Sequence, residues 1–450
     1  MKYISIAIIF LIVSAAHAQT IKLIVHEIQT SKAYIYSLQG EKTVLLDSIE
    51  SNKKDEFIYH FKTAKYHTGF YRITFGTTRW IDFIYDGKNI EIKTDANNIL
   101  DSLHVDTSGS NRLYYSFIKF NKLYKTKTEL LQLILARYPK DNEYYKTTKS
   151  TLSQVQQEYL YFINNASQAD PGSFIARYIK SSQLPVFDES LPPDKQLDFL
   201  KAHSLDNVDF KDGELTYSDL FTSKTIQYLT YYRNPQLPKE LLEKEFIIAI
   251  DTILNKAKVN YRVYKQIVEY LIDGFKKFGF ENDLNYVIDN YVIKDDLCLD
   301  DETEKSIQLM LDQDKILRIN STAPNIMMKD TSGNQINLGK IKADNILILF
   351  YASWCPHCQI MIPKLAEYLK SHKRNNLKVL AISLDTDRNA WIKFIRNNKL
   401  SWINISDLKG WNGKAASDYF IYATPTMFLL NRDKKIIGKP TTISGLNKLF

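Results

Sequence analysis

A chain of 450 residues with 44% apolar residues is too long for one ordinary domain and rich enough in apolar side chains to bury several cores. Its three cysteines are too few for a small disulfide-stapled scaffold. The net charge of +8 is uneven, because nineteen basic and eight acidic residues from Ser321 onward give +11 and leave residues 1–320 at −3. That basic end reads either as solvated surface or as attraction to an acidic partner or to the chain's own N-terminal part. No nucleic-acid-binding motif accompanies it, so nucleic acid is not an expected partner.

Lys2, the apolar run Tyr3 to Val13 and the small-x-small triplet Ala16-His17-Ala18 predict a cleavable export signal over residues 1–18, with Gln19 first in the mature chain. The run is too short for a stable membrane anchor, and no later stretch is long enough. No transmembrane segment is therefore expected after cleavage. No cysteine follows the run, which argues against a lipid-anchored N-terminus. Export places the chain in the periplasm or cell envelope, an oxidising compartment.

Residues 19–108 read as strands. Ala33 to Leu38 and Glu56 to Phe61 are short aromatic and β-branched runs. Trp80 to Tyr85 and Asn89 to Thr94 flank Asp86-Gly87, a hairpin signal. Some six strands at this spacing predict an all-β, sandwich-like domain with a binding or structural role. Residues 109–320 change to a helical period. Leu242, Phe246, Ala249, Ile250 and Ile253 form one stripe, and Val263, Ile267, Tyr270, Leu271 and Phe275 another. Both are expected to be core packing in a central all-α domain of eight or nine helices. No fixed-period repeat marks a solenoid.

From 321 to 450 the pattern alternates. Strands are expected at Ile346–Tyr351 and Leu377–Leu384, and helices at Cys355–Ser371 and Asn389–Asn398. A hairpin of Thr426–Leu430 with Lys435–Ile437 follows, then a short helix over Ile443–Phe450. This is an α/β domain. Its strongest signal is Phe350-Tyr351-Ala352-Ser353-Trp354-Cys355-Pro356-His357-Cys358, which follows a buried strand and opens a helix. At a helix N-terminus, free N–H groups and the helix dipole favour the Cys355 thiolate, so its pKa should fall below the ~8.5 of a free thiol. Cys358 lies about one turn on and can close a redox-active disulfide with Cys355. His357 adds an imidazole that stabilises the thiolate when charged.

These residues resemble the TlpA/ResA-like envelope thioredoxins, over a little under a third of the chain. The likeness rests on Trp354-Cys355-Pro356-His357-Cys358 after a buried strand, on Thr424-Pro425, and on the lead-in Thr322-Ala323-Pro324. The resemblance implies a thioredoxin-like fold. It implies that Pro425 is cis beside the cysteines and that Thr424 offers backbone hydrogen bonds to a substrate strand. It groups Pro356, His357 and Trp354 as residues that tune the thiolate. It also implies protein thiol or disulfide substrates, a membrane or envelope redox partner, no cofactor and no metal. Two departures matter. The buried Asp of thioredoxin is replaced by Leu349, and its partner Lys by Ala381 or a neighbour. His357, Asp385 or Asp387 are left as proton shuttles, although the two Asp read more simply as a helix cap and a loop charge.

The expected function is thiol–disulfide oxidoreductase. Alternatives are a partner-binding envelope protein whose redox motif regulates capture, and a thiol peroxidase. The second has Ala352 where a peroxidatic site carries Thr. Haem attachment is excluded because Gln359, not His, follows Cys358. A structural zinc site lacks a second Cys pair. Cys298 reads as a lone structural thiol, with a resolving role as the alternative. The direction of exchange stays open: Pro356-His357 is the dipeptide of the oxidase DsbA, whereas Thr424 matches the reductive envelope thioredoxins.

Overall fold

The computed structural model describes residues 19–53, 55–61, 66–188, 191–371 and 377–449. The expected export signal, residues 1–18, lies outside the described residues. The chain divides into two compact units that meet within one helix, the first ending at Tyr270 and the second starting at Leu271.

The first unit opens with eight strands: β1 (Gln19–His26), β2 (Lys32–Gln39), β3 (Lys42–Lys53), β4 (Glu56–Phe61), β5 (Gly69–Phe75), β6 (Arg79–Tyr85), β7 (Ile90–Asp95) and β8 (His104–Thr107), with a one-turn helix α1 (Ile99–Ser102) before β8. They form one sheet in the order β6-β5-β2-β3-β4-β1-β7-β8. The long strand β3 links its two halves, pairing with β2 through its first part and with β4 through Ser51 and Lys53. The alternating burial of β1, β4 and β7 places one apolar face inward. That face is aromatic across the two halves: Phe61 of β4 stacks on Tyr85 of β6 at 4.0 Å, and Phe57 meets Phe75 of β5 edge-on at 5.1 Å.

The Asp86-Gly87 signal does not make a hairpin. β6 pairs with β5, whereas β7 runs parallel to β1 and antiparallel to β8. Gly87, at φ +78°, turns the chain from one half of the sheet to the other. The tight hairpin lies instead between β2 and β3, where Gln39 faces Lys42 across Gly40-Glu41. Its Gly40 N–H reaches the carbonyls of Thr216 and Ser218, and a Cβ there would meet Gln266 and Thr222 at 3.0 Å.

Nine α-helices follow among the described residues of 109–320: α2 (Gly109–Leu135), α3 (Glu143–Gln168), α4 (Phe174–Ser182), α5 (Pro193–His203), α6 (Leu220–Thr230), α7 (Lys239–Ala257), α8 (Tyr261–Phe278), α9 (Glu281–Val287) and α10 (Asp301–Ile316). The two predicted stripes are core: Phe246, Ala249, Ile250 and Ile253 of α7, and Val263, Ile267, Leu271 and Phe275 of α8, are all buried.

In the second unit a small ribbon, β9 (Met327–Lys329) with β10 (Gln335–Asn337), precedes a five-stranded sheet. The sheet consists of β11 (Asn345–Tyr351), β12 (Leu377–Ser383), β13 (Ile403–Ile405), β14 (Thr426–Asn431) and β15 (Ile436–Gly438), in the order β13-β12-β11-β14-β15. β11, β12 and β13 are parallel, β14 runs antiparallel to β11, and β15 pairs antiparallel with β14. Helices α11 (Pro356–Ser371), α12 (Arg388–Asn397), α13 (Lys414–Asp418) and α14 (Ile443–Asn447) complete it. From its second residue β11 is buried throughout, as a central strand covered on both faces must be.

The lead-in segment bridges to the sheet edge at Thr322 and Lys435, with Ala323 N–H donating to the Lys434 carbonyl. Helix α10 is tied to the same unit. Its Gln313 Nε2 donates to the carbonyls of Tyr419 and Phe420, at 3.0 and 3.1 Å.

Candidate active site

Cys355 stands between the C-terminal end of β11 and the first residue of α11. Pro356 opens that helix, where its fixed φ is already helical and its missing N–H is not needed. The Cys355 carbonyl accepts the first intrahelical bond, from Gln359 N–H at 3.0 Å, so Cys355 is the N-cap. Its sulfur then occupies the place of a capping oxygen and accepts from Cys358 N–H at 3.4 Å. Both cysteines are buried and both are thiols in this structure. Thr424, joined to Pro425 by a cis bond, faces the pair from the loop before β14. The Cys355 thiol donates to the Thr424 carbonyl at 3.2 Å.

These contacts split the two cysteines electrostatically. The Cys355 pKa is lowered to about 5, first by hydrogen bonding from the Cys358 thiol and then by the Thr424 side chain and the backbone N–H groups of Cys358 and His357, against an opposing effect of burial. Cys358 is pushed far up, first by burial, then by its hydrogen bond to Cys355 and by the charge there. One thiol ionises well below neutrality while its neighbour holds its proton.

The neighbours named from sequence take unequal places. His357 acts on the sulfur through its backbone N–H, while its ring lies edge-on to Phe278, with centroids 6.0 Å apart. Trp354 is half exposed, with its ring 6.2 Å from that of the equally open Trp411. Leu349 and Ala381 are cross-strand partners on β11 and β12, and both are fully buried. The positions that carry thioredoxin's acid and base are thus apolar here. Asp387 caps α12 by accepting from Asn389 N–H at 2.8 Å. Asp385 is buried and accepts from Ser353, in the loop before Cys355. Cys298 is exposed, just before α10, and in no disulfide.

Ser353, Trp411 and Phe278 were given no role from sequence, and Gln359 entered only as the residue that excludes haem attachment. Ser353 and Gln359 lie beside the cysteines in the chain; Trp411 and Phe278 are brought in by the fold. Among the described residues, no group of three or more His, Cys, Asp or Glu side chains could hold a metal ion. No helix there is long and apolar enough to cross a membrane.

A buried strand, a Cys-x-x-Cys N-cap and a facing cis-proline define a thioredoxin-like domain of the thiol–disulfide oxidoreductase class. Residues 319–439 match the AhpC/TSA family, so the chain carries an AhpC/TSA-family domain at its C-terminal end. The chain is 27% identical over 123 residues to the thiol-disulfide oxidoreductase ResA of Bacillus cereus, covering 27% of this chain and 69% of that protein. It is 25% identical over 117 residues to ResA of Bacillus subtilis, covering 26% of this chain and 64% of that one. The chain thus spans about two thirds of the length of these relatives. Among solved structures it is similar to the C-terminal domain of a protein from Bacteroides thetaiotaomicron put forward as a thiol-disulfide oxidoreductase. That match has 31% identity and a TM-score of 0.28, and covers 29% of this chain and 93% of the other.

Proposed function

We propose that this chain exchanges disulfides with protein substrates in the cell envelope through Cys355 and Cys358. The observation that carries this reading is the geometry of the pair: Cys355 sits at the N-cap of α11, accepting from Cys358 N–H at 3.4 Å and facing the cis Thr424-Pro425 bond, with the buried Cys358 one turn on, an arrangement that lowers the Cys355 pKa and raises that of Cys358.

In the reducing direction the Cys355 thiolate attacks one sulfur of a substrate disulfide. That S–S bond breaks, one substrate thiolate leaves, and a mixed disulfide with Cys355 remains. Two of the influences that raise the Cys358 pKa, the hydrogen bond to Cys355 and its negative charge, vanish once Cys355 is tied up. Cys358 can then lose its proton and attack the Cys355 sulfur. The second substrate thiolate is released, and two electrons have passed from the dithiol to the substrate. Oxidation of a substrate dithiol is the same sequence reversed. Thr424 and Pro425 would present backbone to the substrate strand, and Pro356 fixes the helix start.

Residues 321–450 serve in this proposal as the redox domain, 19–108 as a sandwich-like β domain and 109–320 as a helical one. The return to strand at Met327 and the change to helix at Gly109 support those limits. The envelope location rests on the export signal expected over residues 1–18. Peroxidase chemistry is disfavoured because Ala352, buried and without a hydroxyl, stands where that site needs Thr.

The test is an asymmetry between two variants. Cys355→Ser should abolish exchange, whereas Cys358→Ser should accumulate mixed disulfides with substrate proteins, seen as reductant-sensitive adducts by mass spectrometry. Normal turnover by Cys358→Ser would refute the assignment and implicate another resolving thiol.

A further inference from the structure

Asp385 lies two residues past the end of β12 and is 1% exposed. Four hydrogen bonds from neutral donors surround its carboxylate. Ser353 Oγ donates to Oδ1 at 2.6 Å, and Ser353 N–H to Oδ2 at 3.0 Å and to Oδ1 at 3.3 Å. Ser383 Oγ donates to Oδ2 at 2.6 Å and itself accepts Asp385 N–H at 3.0 Å. No Lys, Arg or His forms an ion pair with Asp385 among the described residues.

Ser353 is held from its other side as well. Gln359 Nε2, in the first turn of α11, donates to the Ser353 carbonyl at 2.8 Å. The neighbouring main chain is tied across the same gap, with Leu384 N–H donating to the Tyr351 carbonyl at 2.7 Å. Every polar group of Ser353 is therefore committed, and the short segment that leads into Cys355 has one fixed course. A buried carboxylate is costly to keep ionised, and neutral donors satisfy its lone pairs without cancelling its charge. That charge is carried in a low-dielectric region where it acts over a longer range than at the surface.

We propose that Asp385 is a positioning residue for thiol exchange: it fixes the Ser353 loop that presents Cys355 and keeps an uncompensated negative charge beside that loop. This rests on the reading of Cys355 as the nucleophile. The two effects oppose each other. Fixing the loop holds the sulfur against the N–H donors that stabilise its thiolate. The charge disfavours that thiolate and so restrains the pair from becoming a strong oxidant.

Two substitutions in the full-length chain separate them. Asp385→Asn removes the charge and keeps acceptors for Ser353, with its new amide N–H able to donate to Ser383 Oγ. Ser353→Ala keeps the charge and loosens the loop. Thiolate absorbance titration and equilibration with glutathione are read on both. Asp385→Asn should lower the Cys355 pKa by ~0.5–1 unit and shift the equilibrium about three- to tenfold toward the dithiol. Ser353→Ala should raise the pKa. An unchanged or raised pKa in Asp385→Asn, or an unchanged one in Ser353→Ala, overturns the proposal. Loss of exchange in Cys355→Ser alongside such a result would leave the nucleophile assignment standing and remove only the role of Asp385.

Discussion

Each of the two large sheets has a sequestered carboxylate on it or at a strand end, Asp82 largely buried and Asp385 fully so, and the two are treated differently. In the N-terminal sheet Asp82 of β6 lies directly across from Arg72 of β5. The guanidinium grips it with both arms, Nε to Oδ1 at 2.6 Å and Nη2 to Oδ2 at 2.8 Å. Burial pushes the Asp82 carboxyl up and Arg72 pulls it back. In the C-terminal sheet Asp385 has hydroxyls and an N–H instead of a cation. A paired carboxylate is a closed piece of architecture whose field is spent on its partner. A carboxylate held by neutral donors fixes its neighbours equally well but leaves its charge to act on what lies nearby, and here that is the loop of a reactive thiol.

Breaking the closed pair should give the largest change in stability and none in chemistry. Arg72→Leu leaves Asp82 without its cation. Removing one partner of a fully buried pair costs about 3–5 kcal/mol, and these side chains are 29% and 22% exposed, so a loss of ~2–3 kcal/mol is expected in urea unfolding. The Cys355 pKa should stay where it is. A shifted thiolate titration in this variant would erase the distinction between the two carboxylates.

The next effect concerns His357, whose influence on the sulfur runs through the main chain. His357→Pro removes that N–H and should raise the Cys355 pKa by about one unit, ~1.4 kcal/mol, and make the potential more negative. His357→Ala keeps the N–H and should move the pKa by less than half as much. Equal shifts in the two variants would return the tuning to the imidazole.

Much of the C-terminal unit was legible because its signals are local. A continuous apolar run gave β11, helical periodicity gave α11 and α12, and Asp387 could be read as a cap because an N-cap acts on residues two or three places on. The three-residue strand β13 is too short to carry a period. The Asp86-Gly87 turn misled because Gly supplies the same positive φ to a hairpin and to a crossover. The choice was made by β7 pairing with β1, far away in sequence. Asp385 could be named from the sequence only as a shuttle, cap or loop charge; its hold on Ser353 was hidden for the same reason, because Ser353 lies on the neighbouring loop and no spacing rule connects them. The cysteine pair was plain from the motif, but the part played by the His357 main chain needed the geometry of the helix end.

The central claim is that Cys355 is a thiolate at neutral pH because the helix end, the Cys358 thiol and the Thr424 side chain hold it so. The direct measurement is the pH dependence of iodoacetamide alkylation of the reduced chain, followed at the Cys355 peptide by mass spectrometry so that Cys298 does not contribute. The rate should rise from acid pH, reach half its maximum near pH 5 and stay flat through neutrality. A midpoint near ~8.5, the value of an ordinary thiol, would contradict the account.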